Sequence, residues 1–215
     1  MKIASTPVMA RARSLRTRPT QARAQKTFDA ILAAAADLLI ELGWDGFNTN
    51  LLAERAGCRV ATLYRYFPDK LAVVSTLAES VVSQWDVAFA QIAEALEDTG
   101  DLREVWPDFS RRFVAILRTN PSALAVRKAM HAVPELRAID QEDNKRLAGH
   151  LAAMLRAELP DLPAEKPLSI ALVLIESQVA VTDLAMAETD AVATQLLQDL
   201  EAMHLAYLNQ LYTHE

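Results

Sequence analysis

Residues 48–70, NTNLLAERAGCRVATLYRYFPDK, constrain this chain more than any other stretch. They hold two short helical patterns on either side of a glycine. Asn48 suits the N-cap of the first helix, because a short polar side chain there accepts a hydrogen bond from a free backbone N–H. Leu51, Leu52, Ala53 and Ala56 follow at helical spacing and give that helix an inward face. Gly57 then supplies the left-handed backbone at which helices commonly end. A second helix is expected over residues 60–67, since Pro68 disfavours helix in the residue before it. At about 100° per residue, Val60, Leu63 and Phe67 share one face and Ala61, Thr62, Arg65 and Tyr66 the other. Helices this short do not stand alone. The two must pack together and present a basic, aromatic outer face. A helix-turn-helix has this geometry, and its second helix enters the major groove of DNA.

The stretch resembles the TetR family of transcriptional regulators. The matching residues are Leu52-Ala53-Glu54-Arg55-Ala56-Gly57, then Ala61-Thr62-Leu63-Tyr64-Arg65-Tyr66-Phe67, then Lys70-Leu71, with Gly43-Trp44 matching the pair that ends the family's first helix. The resemblance covers residues 25–72, about a third of the chain. It implies a three-helix DNA-binding domain over 23–70. It also implies a DNA-contact set of Asn48, Thr49, Arg59, Ala61, Thr62, Tyr64, Arg65, Tyr66 and Lys70. In that set the hydroxyls of Tyr64 and Tyr66 lie along the phosphates. Thr62 and Arg65 are the candidates for reading base edges, because arginine pairs bidentately with guanine. Lys70 stands at the start of the next helix, whose first N–H groups can face a phosphate. Leu63 and Phe67 are assigned to the core. Three positions depart from the family: Asn48 for its usual threonine, Cys58 for a common valine, and Arg59 for the serine that caps the recognition helix. The last exchange weakens that helix start and offers a cation to a phosphate instead.

Charge divides the chain in the same way. Residues 1–70 carry 11 Lys and Arg against 6 Asp and Glu, a net +5, whereas residues 71–215 carry 11 against 22, a net −11. A basic head on an acidic body fits a protein that meets nucleic acid at one end. The first 27 residues hold seven basic side chains and no acid, without the apolar run of a secretory signal. Residues 1–22 read as a basic, disordered arm that neutralises phosphates or enters the minor groove; an organellar transit peptide is the other reading. One cysteine excludes an intramolecular disulfide and fits a cytoplasmic location.

The remainder reads as helix throughout, so the expected class is all-α. Glycine is scarce, hydrophobic residues make up 52% of the chain, and no long β-branched alternation occurs. Helices are expected over 24–42, 69–97, 101–119, 121–133, 134–159, 164–187 and 189–212, with 160–163 a loop and 142–146 an exposed charged run. Residues 71–215 are expected to form a helical ligand-binding and dimerisation domain. The apolar run 169–187 is long enough to suggest a membrane span, but Glu176, Gln178 and Asp183 interrupt it. A helix buried on more than one side fits it better, and no membrane partner is expected.

By the same resemblance, that domain binds a small-molecule inducer. Trp85, Phe89, Trp106, Phe109, Phe113, Met130, His131, Met154 and Gln178 are the candidate lining, although aromatics at helical spacing more often simply pack. Glu176, Gln178 and Asp183 can equally orient a ligand, pair across a dimer or face water. Leu172, Ile175 and Val179, with Leu196, Leu200, Met203 and Tyr207, form apolar stripes expected to join two copies. No enzyme, metal or cofactor is expected. Glu201 and His204 make one Glu-x-x-His pair where a carboxylate-bridged metal site needs two, and no phosphate loop, G-x-S-x-G or HExxH occurs. Cys58 fits a small apolar turn residue, with redox sensing as the alternative. The reading is a two-domain, homodimeric repressor of a pseudo-palindromic operator in double-stranded DNA. Its alternatives are an activator, a ligand-independent regulator, or a helical enzyme or scaffold that keeps a helix-turn-helix.

Overall fold

The computed structural model describes residues 19–212; the expected arm up to residue 18 lies outside them. Among the described residues the chain forms nine helices and no strand. They are α1 (Ala22–Gly46), α2 (Thr49–Arg55), α3 (Val60–Tyr66), α4 (Lys70–Thr99), α5 (Leu102–Thr119), α6 (Pro121–Ala132), α7 (Pro134–Glu158), α8 (Lys166–Ala185) and α9 (Asp190–Tyr212). Local chemistry sets most of these ends. Gly43 kinks α1 at φ 65°. The Asn48 side chain accepts from the N–H groups of Asn50 and Leu51 at the start of α2. Gly57, at φ 63°, turns the chain between α2 and α3. Asn120 caps α6 through the Ala123 N–H, with Pro121 at its first position.

By proximity the chain divides into two compact units. The first takes the described residues up to 84 together with 120–141, and the second takes 85–119 with 142 onward. In the first, Ile31, Leu38 and Leu39 of α1, Leu52 of α2 and Leu63 of α3 close over Phe47 and Phe67, all of them buried. Phe28 stacks on Phe67 at 5.2 Å and meets Tyr66 edge-on at 5.7 Å. Each such side chain is worth about 1.5–3 kcal/mol when fully buried. Helix α6, expected within 71–215, packs instead along α1 in this first unit. Arg127 of α6, itself buried, donates to Asp140 of α7 at 3.0 Å, so its charge is compensated where water is excluded.

The second unit is built around aromatic rings. Trp85 stacks on Phe113 at 5.0 Å, Phe89 meets Phe109 edge-on at 5.6 Å, and Trp106 lies 5.0 Å from Phe109. At its margin Glu158 of α7 accepts from the Leu102 N–H and the Tyr212 hydroxyl, joining the start of α5 to the ends of α7 and α9. The run 142–146 is not uniformly exposed. Asp143 and Asn144 are buried because partners reach them: Arg146 bridges Asp143 and Asp86, and Asn144 donates to Glu176 at 3.4 Å. Helix α8 is long and apolar enough to cross a membrane. Its inner face is instead buried within the unit, through Ile170, Ala171, Leu174, Ile175, Gln178 and Thr182.

Candidate nucleic-acid interface

The turn between α2 and α3 aims one face of α3 outward. Gly57 donates to Glu54 O at 3.0 Å and Cys58 to Ala53 O at 2.9 Å, which closes α2 and reverses the chain. Leu63 anchors α3 from below, leaving Ala61, Tyr64 and Arg65 exposed and Thr62 half-buried. The hydroxyls of Thr49 and Tyr64 lie 3.2 Å apart, so α2 holds the tip of Tyr64 in place. The Arg65 guanidinium stays 6.0 Å from the Tyr66 ring centre. Arg59, the N-cap of α3, makes no capping hydrogen bond. Arg55 is consumed by a two-point pair with Glu41, at 2.8 Å for each bond; that pair lowers the Glu41 carboxyl below its ordinary range. Burial raises the Cys58 thiol, which disfavours the thiolate that redox chemistry needs.

Two members of the expected contact set have other roles. Tyr66 is only 3% exposed, with its ring on Phe28 and Phe67. It lies about 60° around the helix from Leu63, inside the buried arc, so it belongs to the core. Lys70 points back to the end of α1: its Nζ donates to Trp44 O and Phe47 O, both at 3.1 Å, and sits 4.1 Å over the Trp44 ring. Its ammonium satisfies carbonyls that the helix end leaves open, which makes it a clasp within the fold. Asn48 uses its side-chain oxygen as a cap.

Both parts of the chain match known proteins. Residues 31–77 match the model for bacterial regulatory proteins of the tetR family, and residues 100–212 match the tetracyclin repressor-like C-terminal domain. The chain belongs to the TetR family of transcriptional regulators. The HTH-type transcriptional regulator EthR of Mycobacterium tuberculosis is 42% identical over 77 residues, which is 36% of this chain and 35% of EthR. The chain therefore aligns with only about a third of that relative's length. A transcriptional regulator from Rhodococcus sp. Rha1 superposes with a TM-score of 0.68 over 85% of this chain and 96% of its own, at 16% identity. A SmeT–triclosan complex gives 0.67 over 84% and 90%, at 18% identity. These two likenesses are of fold.

The second unit supplies much of the span matched by the TetR-type C-terminal model. It gathers Trp85, Phe89, Trp106, Phe109 and Phe113 into one packed cluster, and half-buried Met154 and buried Gln178 belong to the same unit. Met130 and His131 sit on α6 in the first unit, where Met130 is buried. Gln178 donates to Thr182 Oγ1 at 3.0 Å, while its own carbonyl oxygen is buried without a donor. His204 spans three helices. It accepts from the Trp106 indole N–H at Nδ1 (2.9 Å) and faces Ser177 Oγ with Nε2 at 2.8 Å. Both ring nitrogens are therefore engaged within the fold, and Glu201 pairs with Arg111 at 3.5 Å. Of the expected dimer residues, Ile175, Val179 and Leu200 are buried inside the subunit, whereas Leu172, Leu196 and Tyr207 are half-buried and Met203 is exposed. Leu168, Val173 and Leu184, which the expected dimer set does not contain, are exposed apolar residues of α8.

Proposed function

We propose that this TetR-family regulator is a cytoplasmic, homodimeric repressor that reads a pseudo-palindromic operator with α3 and releases it when a small molecule binds the second unit. The observation that carries the reading is the exposed face of α3, with Arg65 clear of the core and Tyr64 tethered to Thr49. A rigid helix with a free guanidinium suits bidentate contact to guanine in the major groove. Two copies joined by a two-fold axis would present two such helices to half-sites about 34–36 Å apart. Arg65→Ala should lose discrimination at one or two base positions, costing about 1–3 kcal/mol at the cognate site and little on random DNA. Anisotropy titrations against single-base operator variants measure this. Unchanged affinity and preference would remove Arg65 from the reading face.

The ligand reading is supported by the buried, donor-less oxygen of Gln178 in an apolar unit. An unsatisfied buried acceptor costs about 1–3 kcal/mol, which a ligand N–H or O–H would recover. The fitting class is a small apolar molecule with one hydrogen-bond donor. A ligand that parts the packed aromatic cluster can shift the protein away from its DNA-binding conformation. Such a molecule should weaken operator binding by about 5–150-fold, the usual range of allosteric coupling. Gln178→Leu should abolish that response. A variant that responds as fully as the parent would exclude Gln178 as the polar anchor.

A further inference from the structure

The exposed apolar edges of α8 and α9 each carry one exposed carboxylate. On α9, Asp199 lies about 20° around the helix from Val192 and about 40° from Met203. On α8, Glu176 lies about 40° from Ala180 and about 60° from Val173. Neutral amides hold both acids. Gln195 Nε2 donates to Asp199 at 2.9 Å, and Asn144 Nδ2 donates to Glu176 at 3.4 Å. Such donors fix a carboxylate in place and leave its charge standing. Cations are scarce on these two helices: α9 has no Lys or Arg, and α8 has only Lys166. Lys166 precedes Glu176 by ten residues, about 15 Å along the axis. Arg111 of α5 does reach α9, but it pairs with Glu201, about 160° around the helix from Asp199. Asp86, Asp101, Asp108 and Asp143 of the same unit each have an arginine partner instead.

We propose that pairing of two copies through these edges is held in check by their own charge, so that salt strengthens the dimer; the inference rests on the homodimer reading above. Pairing brings two copies of Asp199 and two of Glu176 to one interface, where α8 and α9 supply no cation close enough to meet them. Like charges brought together at an interface oppose association, and dissolved ions screen that repulsion. DNA binding has the opposite dependence, because salt weakens phosphate contacts. Near the protein concentration at which half the chains are paired, operator binding therefore passes through a maximum as salt rises. A permanently paired protein would only lose affinity.

Sedimentation equilibrium of the full chain between about 0.1 and 1 M KCl tests this, because the screening length shrinks there from about 10 Å to 3 Å. The dimer dissociation constant of the parent should fall by about tenfold over that range. The double variant Asp199→Asn, Glu176→Gln keeps both amide hydrogen bonds and removes the charges. It should pair about tenfold more tightly than the parent at the lower salt, with a dissociation constant that added KCl leaves nearly unchanged. A parent dimer that is indifferent to salt or loosened by it would overturn the charge brake and leave the homodimer reading intact. A double variant that repeats the parent's salt response would do the same. Failure of the homodimer reading itself would show differently, as parent and variant both monomeric at every salt concentration, and it would take the brake with it.

Discussion

Met203→Glu is expected to give a folded monomer that no longer shifts palindromic DNA at concentrations where the parent does. Met203 is 49% exposed on α9, in line with exposed Val192 and half-buried Leu196 and Tyr207. On α8, Val173 (48% exposed) and Leu184 make a second exposed apolar edge. In the proposed homodimer a two-fold mate would cover both bare stripes, each stripe meeting its own copy or its neighbour's. A glutamate at the centre would be desolvated opposite its own symmetry copy. An unpaired buried charge costs about 3–5 kcal/mol, or about two to three and a half decades in dimer dissociation. Val173→Glu should behave in the same way. Leu200→Glu and Ile175→Glu make the useful contrast: both residues are only 2% exposed inside the subunit, so these variants should lose helical circular dichroism rather than dissociate. Sedimentation and circular dichroism together separate the two outcomes. A Met203→Glu protein that sediments as a dimer and binds operator normally would move the interface elsewhere.

Acidification should cost the second unit about 3 kcal/mol of stability through His204 alone. The buried ring is held neutral, with burial lowering its pKa to about 4 from the usual 6.5. The indole N–H of Trp106 points at Nδ1, the atom that protonation would fill. The proton of the neutral ring is therefore on Nε2, which donates to Ser177 Oγ; Ser177 in turn donates to Val173 O at 2.5 Å. Below pH 6.5 the unfolded chain takes up a proton that the folded chain refuses until about pH 4. Stability thus falls across that window as pH drops, by about 1.4 kcal/mol per unit. Carboxylates such as Glu41 and Asp101, lowered by their arginine partners, also lose stabilisation in acid. The test is therefore a difference: His204→Gln can keep both hydrogen bonds without titrating, and its denaturation midpoints should fall less steeply between pH 6.5 and 4. Parallel acid profiles for parent and variant would show that His204 is not the group responsible.

Much of the fold was legible because its signals are local. Asn48, Gly57, Pro121 and Pro134 act on the backbone within a turn of themselves, and the helix ends fall at or next to them. The apolar repeat of α1, Phe28, Ile31, Leu32, Ala35, Leu38, Leu39 and Leu42, likewise marks the face that a long helix must cover: five of the seven are buried, Leu32 is half-buried, and Leu42, beside the Gly43 kink, is exposed. The family motif placed the recognition helix for the same reason: it encodes a turn and two faces within 23 consecutive residues.

What the sequence determined by itself was therefore where helices start and stop, and which head is basic. Only the tertiary structure decided which of two apolar faces is inside. Ile175 and Val173, or Leu200 and Met203, are equally hydrophobic to a helical wheel; burial of the first of each pair depends on where α5, α8 and α9 meet. Proximity along the chain put α6 after α5 but could not say that it packs along α1. Charge identified Lys70 as a cation, yet the carbonyls of Trp44 and Phe47 decide what it binds. Asp143 and Asn144 read as solvent-facing until Asp86, through Arg146, and Glu176 are brought to them. In each case the deciding energy comes from desolvation and pairing with groups distant in sequence, and a local pattern carries no information about either.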